Sequence, residues 1–163
     1  VEPQGICGSG LIDAVSILLE TGRLGGFGEI LSGEQEIELA KNVGLTQKEI
    51  QEFQLAKAAI AAGLEILLDR QEIKQEMVDA VYIAGGFGSY INLQHVRRTG
   101  MLAFKSGKMH KLGNTALLGA KMLLFSVLAE VDMFLGLVSD VILESYSWFQ
   151  VLYVKLMQFR AIL

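Results

Sequence analysis

Apolar positions recur at helical spacing near the start of the chain. Leu11, Ile12, Val15, Leu18 and Leu19 predict one buried helix face, led in by Gly5-Ile6-Cys7-Gly8-Ser9-Gly10 and closed by Thr21-Gly22. Gly25-Gly26-Phe27-Gly28 reads as loop, and Glu36-Ile37-Glu38-Leu39 alternates with the two-residue period of an edge strand. Thr46-Gln47-Lys48-Glu49 is a capping box, in which Thr46 and Glu49 each satisfy a free N–H at a helix start. The helix that follows, with room for one break, turns Ile50, Phe53, Ile60, Leu64, Leu67 and Leu68 toward a core. Its middle is small-faced through Ala56, Ala58, Ala59, Ala61 and Ala62, which lets another backbone or a flat ligand come close.

Ala80-Val81-Tyr82-Ile83 is a short unbroken apolar run, the pattern of a buried strand in a parallel sheet. It runs into Ala84-Gly85-Gly86-Phe87-Gly88-Ser89-Tyr90-Ile91. Asn92 then caps a short helix over Leu93 to Thr99, closed by Gly100. Residues 104–111 read as a basic turn region. Gly113-Asn114 caps a further helix from Thr115 through about Leu128, with Gly119-Ala120 allowing close packing. Val141-Ile142-Leu143-Glu144-Ser145 reads as a strand and Trp148 to Phe159 as a final helix. The whole is an α/β pattern.

Composition narrows the function classes. The formal net charge of −4 argues against a nucleic-acid partner held through phosphates. A single cysteine, Cys7, excludes an internal disulfide and any cluster held by several thiolates of this chain. His95 and His110 have no cysteine or histidine at ligand spacing, so they read as surface residues and no metal site is expected. No signal peptide is visible, and a cytoplasmic location is the expectation. The tail from Met122 is strongly apolar, yet Glu130, Asp132, Asp140, Glu144, Lys155 and Arg160 interrupt it. No uncharged run reaches the ~18 residues of a membrane span. It also lacks the Lys/Arg-rich polar face of a membrane-surface helix. So much apolar surface calls for cover, by the rest of a larger protein or by a second copy. Trp148 and Phe149 are the candidate interface anchors; the other reading puts them in this chain's own core.

The chemistry-bearing stretch is the glycine loop. Strand, glycine loop, helix is how α/β folds build nucleotide sites at the carboxyl ends of strands. A tight turn with no ligand is the other reading. The loop is neither G-x-G-x-x-G, since Ile91 stands where a third glycine is needed, nor a P-loop, since no Gly-Lys-Ser/Thr ending occurs. It could support a base or ribose rather than cradle phosphates. Ser9 is not in a nucleophile elbow, because Cys7 and Leu11 occupy the outer glycine positions. On the long helix, Gln54 and Lys57 lie three residues apart with Ala61 one turn on. The trio could present a hydrogen-bonding group, a cation and a flat surface in line; the other reading is a solvated face.

With these stretches placed, the chain resembles the C-terminal ATPase region of the reductive activators of corrinoid proteins, members of the actin, sugar kinase and heat-shock chaperone superfamily. The resemblance is carried in order by Gly5-Ile6-Cys7-Gly8-Ser9-Gly10-Leu11-Ile12-Asp13, Leu45-Thr46-Gln47-Lys48-Glu49-Ile50, Leu55-Ala56-Lys57-Ala58-Ala59-Ile60, the 83–91 loop, and Gly113-Asn114-Thr115-Ala116-Leu117-Leu118-Gly119-Ala120. It implies a partial ribonuclease H-like, actin-type ATPase lobe over residues 1–125. Residues 126–163 would be an apolar strand-helix tail that packs on that lobe or on a partner. It implies ATP or ADP as ligand, with Gly85, Gly86 and Ser89 against the adenosine and α-phosphate side and Gln54, Lys57 and Ala61 as ribose and base contacts. Such proteins use ATP to drive an uphill electron transfer from a ferredoxin-type iron–sulfur domain onto a corrinoid cobalt.

Departures from the family pattern limit this. The two phosphate-binding segments, each with an Asp-Gly-Thr or Asp-Gly-Gly turn, do not occur, and neither does the iron–sulfur domain. Magnesium is therefore expected only in a full-length protein, no catalytic residue is assigned, and the chain alone is not expected to turn over ATP. Ala103 stands near where the family has a proline, and from about Ser126 Leu- and Phe-rich sequence replaces a polar, acidic helix. The expected partners are the rest of the full-length chain, a corrinoid protein and a second copy. The alternative function is a non-catalytic interaction or dimerisation module that keeps the fold.

Overall fold

The computed structural model describes residues 2–125 and 128–159. Helix α1 spans Gly8–Glu20, with the Cys7 side chain accepting from the Gly10 N–H at its start. Its apolar stripe is the expected one: Ile12, Val15 and Leu18 are buried, and Gly22 ends it at φ +67°. Strands β1 (Glu36–Ala40) and β2 (Val43–Thr46) form an antiparallel pair turned by Asn42, which sits at φ +62°. The edge-strand expectation holds, with Ile37 pointing into the core.

Thr46 caps helix α2, Gln47–Arg70. The Thr46 hydroxyl accepts from the Glu49 N–H at 3.3 Å, and the Thr46 N–H donates to the Glu49 carboxylate at 2.8 Å. These bonds from the Thr46 N–H and hydroxyl hold the Glu49 carboxyl below its usual value of 4.5. The sign follows: the Glu49 contribution to stability is present above pH 4.5 and is lost as pH falls through the lowered value. Thr46→Ala is expected to cost about 1 kcal/mol at neutral pH. Urea unfolding at neutral pH and again in acid checks it. The cost should shrink in acid, where a protonated Glu49 no longer favours the hydroxyl.

Helix α2 is unbroken over 24 residues. Ile50 and Phe53 are buried as expected, but Ile60 and Leu67 are nearly half exposed, and Ile66 is buried in their place. The inward face of this half is made by Ala58, Ala61, Ala62 and Ile66, and helix α6 (Phe149–Met157) packs onto it through Phe149 and Leu156. Small residues on α2 leave room for the aromatic side chains of α6. Phe149 is thus core of this chain, with Trp148 packed beside it, and the interface-anchor expectation is corrected.

Strand β3 (Val81–Ala84) pairs in parallel with β4 (Met109–Gly113). The parallel pairing is as expected, but β3 is not buried on both faces: Tyr82 is 63% exposed and meets the His110 ring at 5.6 Å. No third described strand joins this sheet to cover it. Strand β4 falls where a basic turn was expected; only a single turn at Ser106–Lys108 precedes it. Helix α3 (Leu93–Arg98) lies between β3 and β4 in the chain, capped by Asn92, and packs against α1 through Val96.

Asn114 caps α4, Thr115–Leu123, which stops short of the expected end; α5 follows at Leu128–Leu135, and residues 126 and 127 lie outside the described residues. No residue of α4 is buried, and a Cβ on Gly119 would meet open space, so Gly119-Ala120 makes no close packing here. Residues 143–145 form a single 3-10 turn in place of the expected strand.

Candidate functional site

The glycine loop leaves the carboxyl end of β3. Gly85 adopts φ +100°, a conformation that a side chain resists, and its N–H donates to the Gly113 carbonyl at 2.8 Å. That bond ties the end of β3 to the end of β4, where Gly113 (φ +74°) leads into the α4 cap. Residues Phe87–Ser89 form one 3-10 turn, and the Ser89 hydroxyl donates back to the Gly85 carbonyl at 3.2 Å. Lys111 holds the far side, donating to the Ser89 and Ile91 carbonyls. A Cβ placed on Gly85 or Gly86 would meet nothing within 4 Å. The loop is rigidly pinned and open above its two glycines, a platform that a flat ligand can approach.

The first turn of α1 abuts this loop, because a Cβ on Gly8 would fall 2.7 Å from the Phe87 ring. Cys7 there is exposed, and its thiol is held below the usual value by the Ser9 hydroxyl and the Gly10 N–H. Asp13 on α1 meets His95 of α3 at 2.6 Å. His95 is half-buried, not the free surface residue expected, and His110 lies exposed beside Tyr82.

Gln54, Lys57 and Ala61 come together on one face of α2, but that face is not solvated. Gln54 is 4% exposed and Lys57 1%. Gln54 donates to the Phe27 and Met157 carbonyls at 3.0 Å each. The Lys57 ammonium donates to the Gln158 carbonyl and lies 5.0 Å from the centre of the Phe159 ring. Ala61 belongs to the cluster under Phe149 and Leu156. The structure thus gathers the six candidate residues as two sets, Gly85, Gly86 and Ser89 on the open loop and the other three under the C-terminal segment. No hydrogen bond among the described residues links the sets. As a fit for a nucleotide, the loop offers a free face, whereas Gln54 and Lys57 would first have to release the carbonyls of 157 and 158. That engagement left no local signal in the sequence, since both partners lie about a hundred residues away.

Among the described residues no three His, Cys, Asp or Glu side chains come close enough to hold a metal. No helix there is long and apolar enough to cross a membrane.

Comparison with known proteins decides the family. The family described as the C-terminal domain of RACo, the ASKHA domain, matches residues 1–161. The chain belongs to the RACo C-terminal domain family. This confirms the resemblance read from the motifs, and with it the α/β, actin-type ATPase class of the fold. A solved structure named a reductive activator for corrinoid, iron-sulfur protein superposes on this RACo-type chain with a TM-score of 0.84 at 30% identity, over 98% of this chain and 29% of that one. The corrinoid activation enzyme RamQ of Eubacterium limosum is 30% identical in an alignment of 151 residues that covers 76% of this chain and 26% of RamQ. The [Co(II) methylated amine-specific corrinoid protein] reductase of Methanosarcina barkeri is 30% identical over 116 residues, 71% of this chain and 21% of that protein. The chain therefore spans about a quarter of the length of the curated relatives it matches.

Proposed function

We propose that this chain is the nucleotide-binding part of an ATP-dependent reductive activator of corrinoid proteins. The observation that carries the reading is the glycine loop: it stands at the carboxyl end of a parallel strand, in a chain of the RACo C-terminal family, with open space over Gly85 and Gly86. In this reading Gly85, Gly86 and Ser89 support the adenosine of ATP or ADP. Gln54 and Lys57 face it only once the segment at 157–159 withdraws, because as folded they fasten that segment to α2, and Ala61 only once α6 lifts off it. The bound nucleotide supplies the driving energy, while metal and terminal phosphates are held by parts of the longer protein. The relatives' names supply the corrinoid protein as partner. Leu124, Phe125 and Leu137, each at least 79% exposed, supply the apolar surface that the rest of the activator or a second copy would cover.

Titration of the chain with ADP and with adenosine tests the reading. Both are expected to bind with similar dissociation constants on the order of 0.1–1 mM, roughly −4 to −5.5 kcal/mol, because the platform touches the nucleoside and not the terminal phosphates. No detectable binding of either at millimolar concentration would leave the non-catalytic interaction module as the function of the fold.

A further inference from the structure

We propose a second, separate site: the small polar cleft between α3 and the Ser106–Lys108 turn binds a phosphate group. The charge pattern points there first. Arg97, Arg98, Lys105, Lys108 and Lys111 place five of the chain's fourteen Lys and Arg within fifteen residues that contain no Asp or Glu, although the net charge is −4. The fold then draws four of these cations around two adjoining clefts that share Arg97.

One cleft, about 200 Å³, is lined by Gln94, Arg97, Arg98 and Ser106. It is lined by hydrogen-bond donors and by no carboxylate. It is smaller than the roughly 300–1,000 Å³ of pockets that enclose whole cofactors, so it suits a single tetrahedral oxyanion. The neighbouring cleft carries Lys105 and Lys108 but also Glu76, which makes it the poorer anion site. Lys108 is besides committed to the Glu76 and Val78 carbonyls.

The two arginines differ in how far their charge is met. Arg98 donates to the Ser16 hydroxyl at 3.1 Å and pairs with Glu20 at 2.9 Å. Arg97 has no such partner among the described residues: its Nε is buried without an acceptor, and no carboxylate pairs with it. A buried donor left without an acceptor is uncommon and calls for a ligand or solvent partner nearby. A guanidinium that no carboxylate neutralises, beside an amide and a hydroxyl, is a set that recognises phosphate oxygens. Arg98, already held in place by Glu20 and Ser16, forms the second wall.

Thermal unfolding of the chain in inorganic phosphate, against chloride at equal ionic strength, tests the proposal. Phosphate is expected to raise the midpoint along a saturable curve, since a ligand bound only by the folded state stabilises it. Arg97→Gln should weaken that response at least tenfold, and so should Ser106→Asp, a change on an exposed turn that brings a like charge to the anion. Lys41→Gln, at an exposed cation remote from the cleft in sequence, should leave it unchanged. A rise that is the same in all four proteins is the general salting effect of phosphate and overturns the site. ADP separates the two sources of a phosphate group: its affinity should be unmoved by Arg97→Gln. Loss of ADP binding in that variant would make the cleft part of the nucleotide site and overturn a separate one. The phosphate result stands whether or not ADP binds.

Discussion

Phe159→Ala is expected to destabilise the chain by about 3–5 kcal/mol, the usual cost of truncating a buried aromatic ring. Phe159 is 6% exposed and stacks on Phe53 with ring centres 6.2 Å apart. Its ring also lies under the Lys57 ammonium, and its N–H donates to the Gly26 carbonyl at 2.7 Å. One residue thus joins α2, through its ring, and the 25–28 loop, through its backbone, to the C-terminal segment. Its loss opens a cavity in the main core and removes the aromatic face beside a buried cation. Phe159→Leu keeps most of the apolar volume and loses the cation–π contact, worth roughly 0.5–2 kcal/mol. Val154→Ala, at an exposed position on α6, should stay within about 0.5 kcal/mol of the parent. Urea unfolding of the three variants gives the order. Equal midpoints for Phe159→Ala and Val154→Ala would show that the segment is not held as described.

Adjacent glycines of the loop should both lose ADP binding on substitution by valine, yet differ in what the change does to stability. Gly86 has φ −59° and ψ −42°, open to any residue, and a Cβ there meets nothing. Gly86→Val should therefore fold with little change in stability. It should nonetheless weaken ADP binding at least tenfold, about 1.4 kcal/mol, because the branched side chain fills the space over the platform. Gly85 has φ +100°, where a β-branched residue is strained by roughly 1–3 kcal/mol, and its N–H anchors the loop to Gly113. Gly85→Val should lose both stability and binding. Calorimetry on each variant, set beside its unfolding midpoint, separates the effects. Undiminished ADP affinity in Gly86→Val would move the nucleotide away from this loop.

What the sequence made legible was local. Thr46 and Glu49, Asn92, Asn114 and the stripe of α1 each settle within one or two turns of their own neighbours, and each stands as expected. Strand β4 escaped because it has no apolar run: Met109 is buried, but His110, Lys111 and Leu112 are all exposed on a two-stranded sheet. The 141–145 stretch has strand-like residues and no described strand to pair with, so it turns instead. In α2 the large Ile60 and Leu67 drew the core face toward themselves, whereas the partner helix needed the small face of Ala58, Ala61 and Ala62. The glycine loop was legible as a loop at a strand end, because positive φ and glycine go together. The burial of Gln54 and Lys57 was not, because what covers them is specified a hundred residues on.

That last distance has a consequence for how the chain comes to be folded. Gln54 and Met157 are 103 positions apart, and Lys57 and Gln158 are 101. A ribosome adding roughly 5–20 residues per second makes α2 about 5–20 s before it makes α6. Through that interval the Ala58, Ala62 and Ile66 face and the Lys57 ammonium have none of their final neighbours from 149–159. Helix α6 is the one that covers α2, and closing so long a loop is slow because its entropy must be lost before any contact rewards it. The nascent chain thus has a waiting period set by α6, in which its central helix is available to chaperones and to other nascent copies.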